Sequence, residues 1–174
     1  LRFLWNLPQG NHAAASGNRG FFYHFLDMET GLRDGSCELS TVDTAFLIAG
    51  ALSAAQFFDR PDEAELRTLA EQLYRRVDWP WALNRGALLI HGWRPRRGFI
   101  KHRWQGYNEA LLLYILALGS PTAPIDPASY RAWTESYEWG TYCGQEYLYS
   151  GPLFTHQLSH CWIDFRGIQD HFMR

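Results

Sequence analysis

A basic surplus is the first thing this chain lacks. Sixteen Lys and Arg stand against eighteen Asp and Glu in 174 residues, a formal charge of -2 with histidine neutral. That balance excludes a binder of nucleic acid or anionic membrane that works through bulk charge. Charged residues are only 20% against 47% hydrophobic, which excludes disorder. Long apolar runs are missing too. The longest, Ala110 to Leu118, is about half a membrane span, so no membrane-spanning helix is expected. Cysteine is scarce: Cys37, Cys143 and Cys161 are odd in number and match no zinc spacing. A disulfide framework is excluded, though one bridge is not. No Gly-rich phosphate loop is present, because Gly17-Asn18-Arg19-Gly20 fits neither the P-loop nor the dinucleotide fingerprint. His-Glu-x-x-His is absent as well. The i, i+4, i+8 series His156, His160 and Asp164 therefore reads as a hydrogen-bonded polar stripe, not as metal ligands. No signal peptide is visible, and the chain opens on Leu1, so its natural N-terminus is expected to be missing.

Aromatic residues are what the chain has in surplus. Eight Trp, nine Tyr and eleven Phe make up 16% of it. Part of that surplus must build core, and the rest suits a site for flat, amphipathic ligands.

The organisation is a helical alternation. Residues 1–20 read as a loop-rich start, followed by a short strand from Phe21 to Leu26 and a turn at Asp27-Met28-Glu29-Thr30-Gly31, a small hairpin. Ser40-Thr41-Val42-Asp43 is a capping-box-like helix start. The segment from Val42 to Phe58 is apolar nearly all round, as in a buried inner helix. Pro61 opens an amphipathic outer helix to about Asp78, with Leu66, Leu69, Leu73 and Val77 at helical spacing. Residues 79–103 form a long aromatic connection, more often functional than idle. A second inner helix lies within Trp104 to Leu118, with Asn108 and Glu109 at its mouth. A short outer helix follows from Pro127 to Trp139, then a Gly/Tyr-rich loop from Gly140 to Gly151. A third inner helix runs from His156 to about Phe172. The expected class is all-α, with about five helices alternating inner and outer, as in part of an α/α toroid. A solenoid gives the same local pattern, but no repeat of fixed length is visible.

Asp43 and Glu109 each sit at the N-terminus of an inner helix, so stacked hairpins would turn both carboxylates into one cavity. Paired carboxylates are what glycoside hydrolysis uses, one to protonate the leaving oxygen and one to activate water or attack. Both residues also have structural readings: Asp43 completes a capping box and Glu109 favours the helix dipole. Glu38 could reach the same cavity from the preceding loop. Trp79, Trp81, Trp93, Trp104 and Tyr107 could offer rings to sugar faces or pack as core.

Several strings together carry a family resemblance. They are Gly20-Phe21-Phe22-Tyr23-His24-Phe25-Leu26-Asp27, Glu38-Leu39-Ser40-Thr41-Val42-Asp43-Thr44-Ala45, and Arg103-Trp104-Gln105-Gly106-Tyr107-Asn108-Glu109-Ala110. Leu116-Ala117-Leu118-Gly119-Ser120-Pro121-Thr122 joins them, as does Gly151-Pro152-Leu153-Phe154-Thr155-His156-Gln157 running into His160-Cys161-Trp162-Ile163-Asp164-Phe165-Arg166-Gly167. In this order they resemble the bacterial glucoamylase-like (α/α)6-toroid family. That family includes the endo-β-1,2-glucanases of glycoside hydrolase family 144 and the related domain of cyclic β-1,2-glucan synthases. The resemblance implies one partial toroid domain over residues 1–174, truncated at both ends, whose exposed half-ring could self-associate. It implies inverting endo-hydrolysis of a β-1,2-glucan by a carboxylate acid/base pair, with no cofactor and no metal. The partner would be an oligo- or polysaccharide, with no nucleic acid and no membrane span, in a periplasmic or secreted setting. Glu109 falls on the general acid, Asp43 on the base side and Glu38 in reserve. His91, Trp93, Arg103, Trp104, Tyr107, His156 and Gln157 become sugar-contact candidates. A binding-only or inactive fragment, a transglycosylase and an exo-glucosidase are the alternatives. Arg96, Arg97, Lys101 and Arg103 keep a uronate lyase open as well.

Overall fold

The computed structural model describes residues 1–168. Its α-helices are α1 (Arg2–Asn6), α2 (Thr41–Phe57), α3 (Ala64–Arg75), α4 (Ala110–Leu118), α5 (Pro127–Thr134) and α6 (Phe154–Trp162). Its short strands are β1 (Gly17–Asn18), β2 (Phe21–Phe22), β3 (Leu39–Ser40), β4 (Gly92–Arg94), β5 (Gly98–Phe99), β6 (Trp139–Tyr142) and β7 (Gln145–Leu148). They form three small antiparallel sheets, β1-β2, β3-β4-β5 and β6-β7, so the all-α expectation is corrected.

The centre of the fold is α2 against α3 and α4. Ser40 caps α2, its hydroxyl accepting the Asp43 N–H at 3.3 Å, as the capping pattern implied. Thr41, Val42, Thr44, Ala45, Ile48, Ala49, Ala51 and Ala55 are buried along α2. Small residues let neighbouring helices approach it from more than one side. On α3, Leu69, Ala70 and Leu73 face inward while Glu65, Glu71 and Arg75 stay exposed. That one-sided burial is what its amphipathic spacing requires. Nearly all of α4 is buried, and the Tyr74 hydroxyl of α3 donates to the Leu116 carbonyl at 2.7 Å. Trp79, Trp133, Tyr114 and Phe21 are the largest fully buried side chains. Tyr114 stacks on Trp133 with 4.8 Å between ring centroids. Its hydroxyl accepts the Leu89 N–H at 3.1 Å, tying the 79–103 connection to α4. Burial holds this phenol well above its ordinary pKa, so it stays neutral.

Other boundaries differ from the sequence expectation for local reasons. The start of the chain is not all loop, because α1 lies there. Strand β2 is only two residues long and pairs with β1, not across the Asp27 turn. That turn is closed by a Leu26–Arg33 bridge, with Asp27 accepting from the backbone of Glu29 and Thr30. Gly20 between β1 and β2 has φ +85°, and a Cβ there would meet the Arg76 carbonyl at 2.5 Å. The 79–103 connection holds a 3-10 turn at Trp79–Leu83 and the β4-β5 hairpin. Helix α4 begins only at Ala110, because Gly106 takes φ +68° and Asn108 accepts the Ala110 N–H. Helix α5 stops at Thr134, where Ser136 turns back to the Trp133 carbonyl. The Gly/Tyr-rich loop is a hairpin, β6-β7, turned by Cys143 and Gly144 with φ +50° and +75°. Helix α6 ends at Trp162, since Ile163 is extended and Asp164 binds Arg166. Asp164 therefore shares no helix face with His156 and His160. The expected extension of this helix to Phe172 lies partly outside the described residues. Only Thr155 and Ser159 are buried on α6, so it is not an inner helix like α2 or α4. All three cysteines are free.

Candidate active site

Three candidate carboxylates lie at or shortly before the first turns of α2 and α4. Glu38 lies just before β3, Asp43 is in the first turn of α2, and Glu109 is the residue before α4. Glu38 and Glu109 are half-buried and Asp43 is exposed.

Glu38 and Asp43 are joined by His24. Its Nδ1 is 3.1 Å from Glu38 Oε1 and its Nε2 is 3.5 Å from Asp43 Oδ2. The His24 backbone N–H also donates to the Glu38 carbonyl at 2.8 Å, and its ring stacks on Phe25 at 4.2 Å. Arg94 on β4 holds the other Glu38 oxygen at 3.3 Å. Burial pushes the Glu38 carboxyl up. Its own backbone N–H, His24 and Arg94 outweigh that and hold it below the usual carboxylate range. The Ser40 hydroxyl donates to Asp43 Oδ2, so the cap and the carboxylate cluster share atoms.

Glu109 belongs to a second group, centred on His91. The His91 ring lies on Trp104 at 3.8 Å, within 6.0 Å of His102. Burial lowers the His91 pKa, His102 lowers it further, and the Glu109 charge opposes both. The two groups meet at Thr41. Its N–H donates to the His91 carbonyl at 3.2 Å, its hydroxyl to the Ile90 carbonyl at 2.6 Å, and it accepts the Trp104 Nε1–H at 3.1 Å.

The remaining sugar-contact candidates divide. Tyr107 is buried, with its hydroxyl donating to Ser159 at 2.7 Å and its ring 5.0 Å from that of His156. Gln157 is exposed on α6. Trp93 is buried in the main core, 6.0 Å from Trp81. The Arg103 guanidinium is spent on the carbonyls of Leu83, Leu88 and Asn84. A cavity of about 750 Å³ is lined by residues 160–166, none of them a candidate carboxylate.

Sequence reasoning missed His24, Arg94 and Thr41. His24 stood inside a quoted string, but its aromatic neighbours made it read as strand, and nothing local points it at residues 14 and 19 positions away.

The chain is similar to proteins already known. Residues 101–174 match the family model described as "putative glucoamylase". Over those residues the chain is similar to that family. The resemblance read from its sequence is borne out. A curated relative from Parabacteroides distasonis, an exo β-1,2-glucooligosaccharide sophorohydrolase acting at the non-reducing end, is 30% identical over 190 aligned positions. The alignment takes in 88% of this chain and 26% of that relative. An endo-β-1,2-glucanase from Chitinophaga pinensis, solved with sophorotriose and glucose, superposes with TM-score 0.83 at 27% identity. A protein of Bacteroides uniformis with the same description as the family model superposes with TM-score 0.84 at 26% identity. Each superposition covers 98% of this chain and 44% of the other. The chain thus spans about a quarter of the curated relative and under half of these structures.

Proposed function

We propose that this chain is an arc of an (α/α)6 toroid that carries the acidic residues of a β-1,2-glucan hydrolase. One observation carries the reading. Carboxylates stand at the N-terminal mouths of two packed, buried helices, and Thr41, His91 and Trp104 connect those mouths. Glu109 is the general acid, protonating the leaving oxygen. Asp43 is the base that activates water, with Glu38 in reserve. Inversion requires the two carboxyl groups about 6.5–9.5 Å apart, leaving room for that water. Sugar faces would use the exposed edges of His91, His156 and Gln157 beside Trp104 and Tyr107. The names of the glucan-acting relatives support the substrate class.

Exo release of sophorose is the second reading, favoured by the sophorohydrolase relative. Product analysis on linear β-1,2-glucan, beside laminarin and starch, tests both. A ladder of short β-1,2-oligosaccharides supports endo cleavage, and sophorose alone supports exo cleavage. Products from laminarin or starch but not from β-1,2-glucan would overturn the substrate class. No reducing ends from any of the three would overturn hydrolysis by this chain.

A further inference from the structure

Charge is segregated along this chain. The segment from Trp79 to Asn108 holds six of its sixteen basic residues and none of its eighteen acidic ones. Two of the six are used by the fold: Arg94 pairs with Glu38 at 3.3 Å, and Arg103 binds loop carbonyls. Arg85 lies apart, in the turn after the 3-10 segment. Arg96, Arg97 and Lys101 remain. All three are exposed, and among the described residues none takes part in an ion pair. Arg96 and Arg97 form the tip of the β4-β5 hairpin. Arg94 is paired with Gly98, and the Arg97 N–H donates to the Arg94 carbonyl at 3.2 Å, which closes a tight turn with Pro95 at its second position. The third position, Arg96, has φ +62°. Turns of that kind favour glycine there, since a Cβ makes the left-handed region unfavourable. The stem is anchored: Trp93 is buried, and the Phe99 ring lies 4.8 Å from that of Trp81. Arg96 is two residues from Arg94, so their Cα atoms lie at most about 7 Å apart. Because Arg94 contacts Glu38, the tip stands beside the mouth of α2.

We propose that this tip is an anion-binding arm: Arg96 and Arg97, with Lys101 behind them, take carboxylate or phosphate groups carried by a glucan chain at the α2 mouth. A neutral glucan offers guanidinium groups only hydroxyl and ring oxygens, whereas an oxyanion matches their planar fork. Outside the segment, acidic residues outnumber basic ones, so an anion meets a favourable field at the arm and a repulsive one over much of the rest. The glucan as carrier rests on the hydrolase reading above; the affinity for oxyanions does not.

Calorimetry on the whole chain, with linear β-1,2-glucan and with the same glucan carboxymethylated, tests the arm. The parent should bind the carboxymethylated polymer about tenfold more tightly at low salt, the sum of two or three exposed charge contacts. Salt at about 0.5 M should remove the difference. Arg96→Gly combined with Arg97→Ser should abolish the preference and leave affinity for the neutral glucan unchanged. Arg96→Gly alone separates site from scaffold. Glycine suits φ +62°, so the unfolding midpoint should hold while the preference weakens. Equal affinity of the parent for both polymers, or binding to neither, would overturn the arm. So would a preference that survives the double variant. Binding to anionic lipid vesicles but not to the carboxymethylated glucan would overturn the glycan carrier. A preference for the anionic polymer in a chain that hydrolyses neither would keep the arm and sink the hydrolase reading. Hydrolysis of the neutral glucan with no preference would do the reverse.

Discussion

The imidazole of His91 lies nearly flat on the indole of Trp104, with 14° between the ring planes. This stack joins a loop residue to the segment that leads into α4, and both residues bond to Thr41 at the start of α2. The relative placement of Asp43 and Glu109 therefore depends on a half-buried histidine and a buried indole, not on either carboxylate.

Trp104→Phe should show this dependence. Phenylalanine keeps an aromatic face for His91 but loses the Nε1–H donor to Thr41. A lost buried hydrogen bond costs about 1 kcal/mol, and the smaller ring adds about 1 kcal/mol more. The midpoint of urea unfolding should fall accordingly, with the denaturant slope unchanged. An unaltered midpoint would mean that the helix mouths are not held together through this contact.

Two titrations should appear in stability against pH. Burial first, and His102 second, lower the His91 pKa below its ordinary value. The unfolded chain then binds that proton more readily, so stability is lost as pH falls below about 6.5. Glu38 is held below its ordinary value despite its burial. Its contribution is present above the ordinary carboxyl range near about 4.3 and is lost as pH falls through the lower folded value. Urea midpoints taken across this range should fall in two steps. His91→Gln should flatten the upper step and Glu38→Gln the lower.

The helix alternation was legible because α2, α3 and α4 carry unambiguous patterns. An all-apolar segment can only be buried, and the Leu69 and Leu73 spacing of α3 can face only one way. The sheets were not legible. Strands of two to four residues such as Phe21–Phe22 leave no period to read. Leu39 pairs with Trp93 more than fifty positions away, which no local pattern encodes. The β6-β7 turn placed a non-glycine, Cys143, at positive φ and so carried only half of the usual signal.

At the site, the carboxylates were legible from their position before or within the first turn of buried helices. Their partners were not. His24 reaches Glu38 and Asp43 only once the Tyr23–Leu39 bridge has formed. Trp93 and Arg103 were read as ligand contacts because they lie in an aromatic, basic connection. That connection is itself folded: Trp93 packs in its core and Arg103 bonds to its carbonyls.

Glu109→Gln and Asp43→Asn should separate the two proposed roles. Loss of a positioned acid or base costs about 10²–10⁴ in rate. Glu109→Gln should recover on substrates with a good leaving group, which need no proton, whereas Asp43→Asn should not. Reducing-sugar release and aryl-glycoside hydrolysis, measured in parallel, give the comparison. Equal losses on both substrates for Glu109→Gln would remove it as the acid.

Arg103 gives the sharpest contrast between scaffold and ligand contact. Its guanidinium donates to the carbonyls of Leu83 and Leu88 and reaches that of Asn84. A Cβ added at Gly86 would come within 2.6 Å of it, so the loop closes tightly around the charge. Lysine cannot reproduce that planar fork. Hydrogen bonds from charged groups contribute about 1.5–3 kcal/mol each, so Arg103→Lys should lose about 2 kcal/mol of stability. Gly86→Ala should destabilise in the same direction by pushing on the same group. Neither change should weaken sugar binding in calorimetry performed where the variants are still folded. A variant with parental stability but reduced sugar affinity would return Arg103 to the binding site and leave the 79–103 connection to be held by Tyr114 and Thr41.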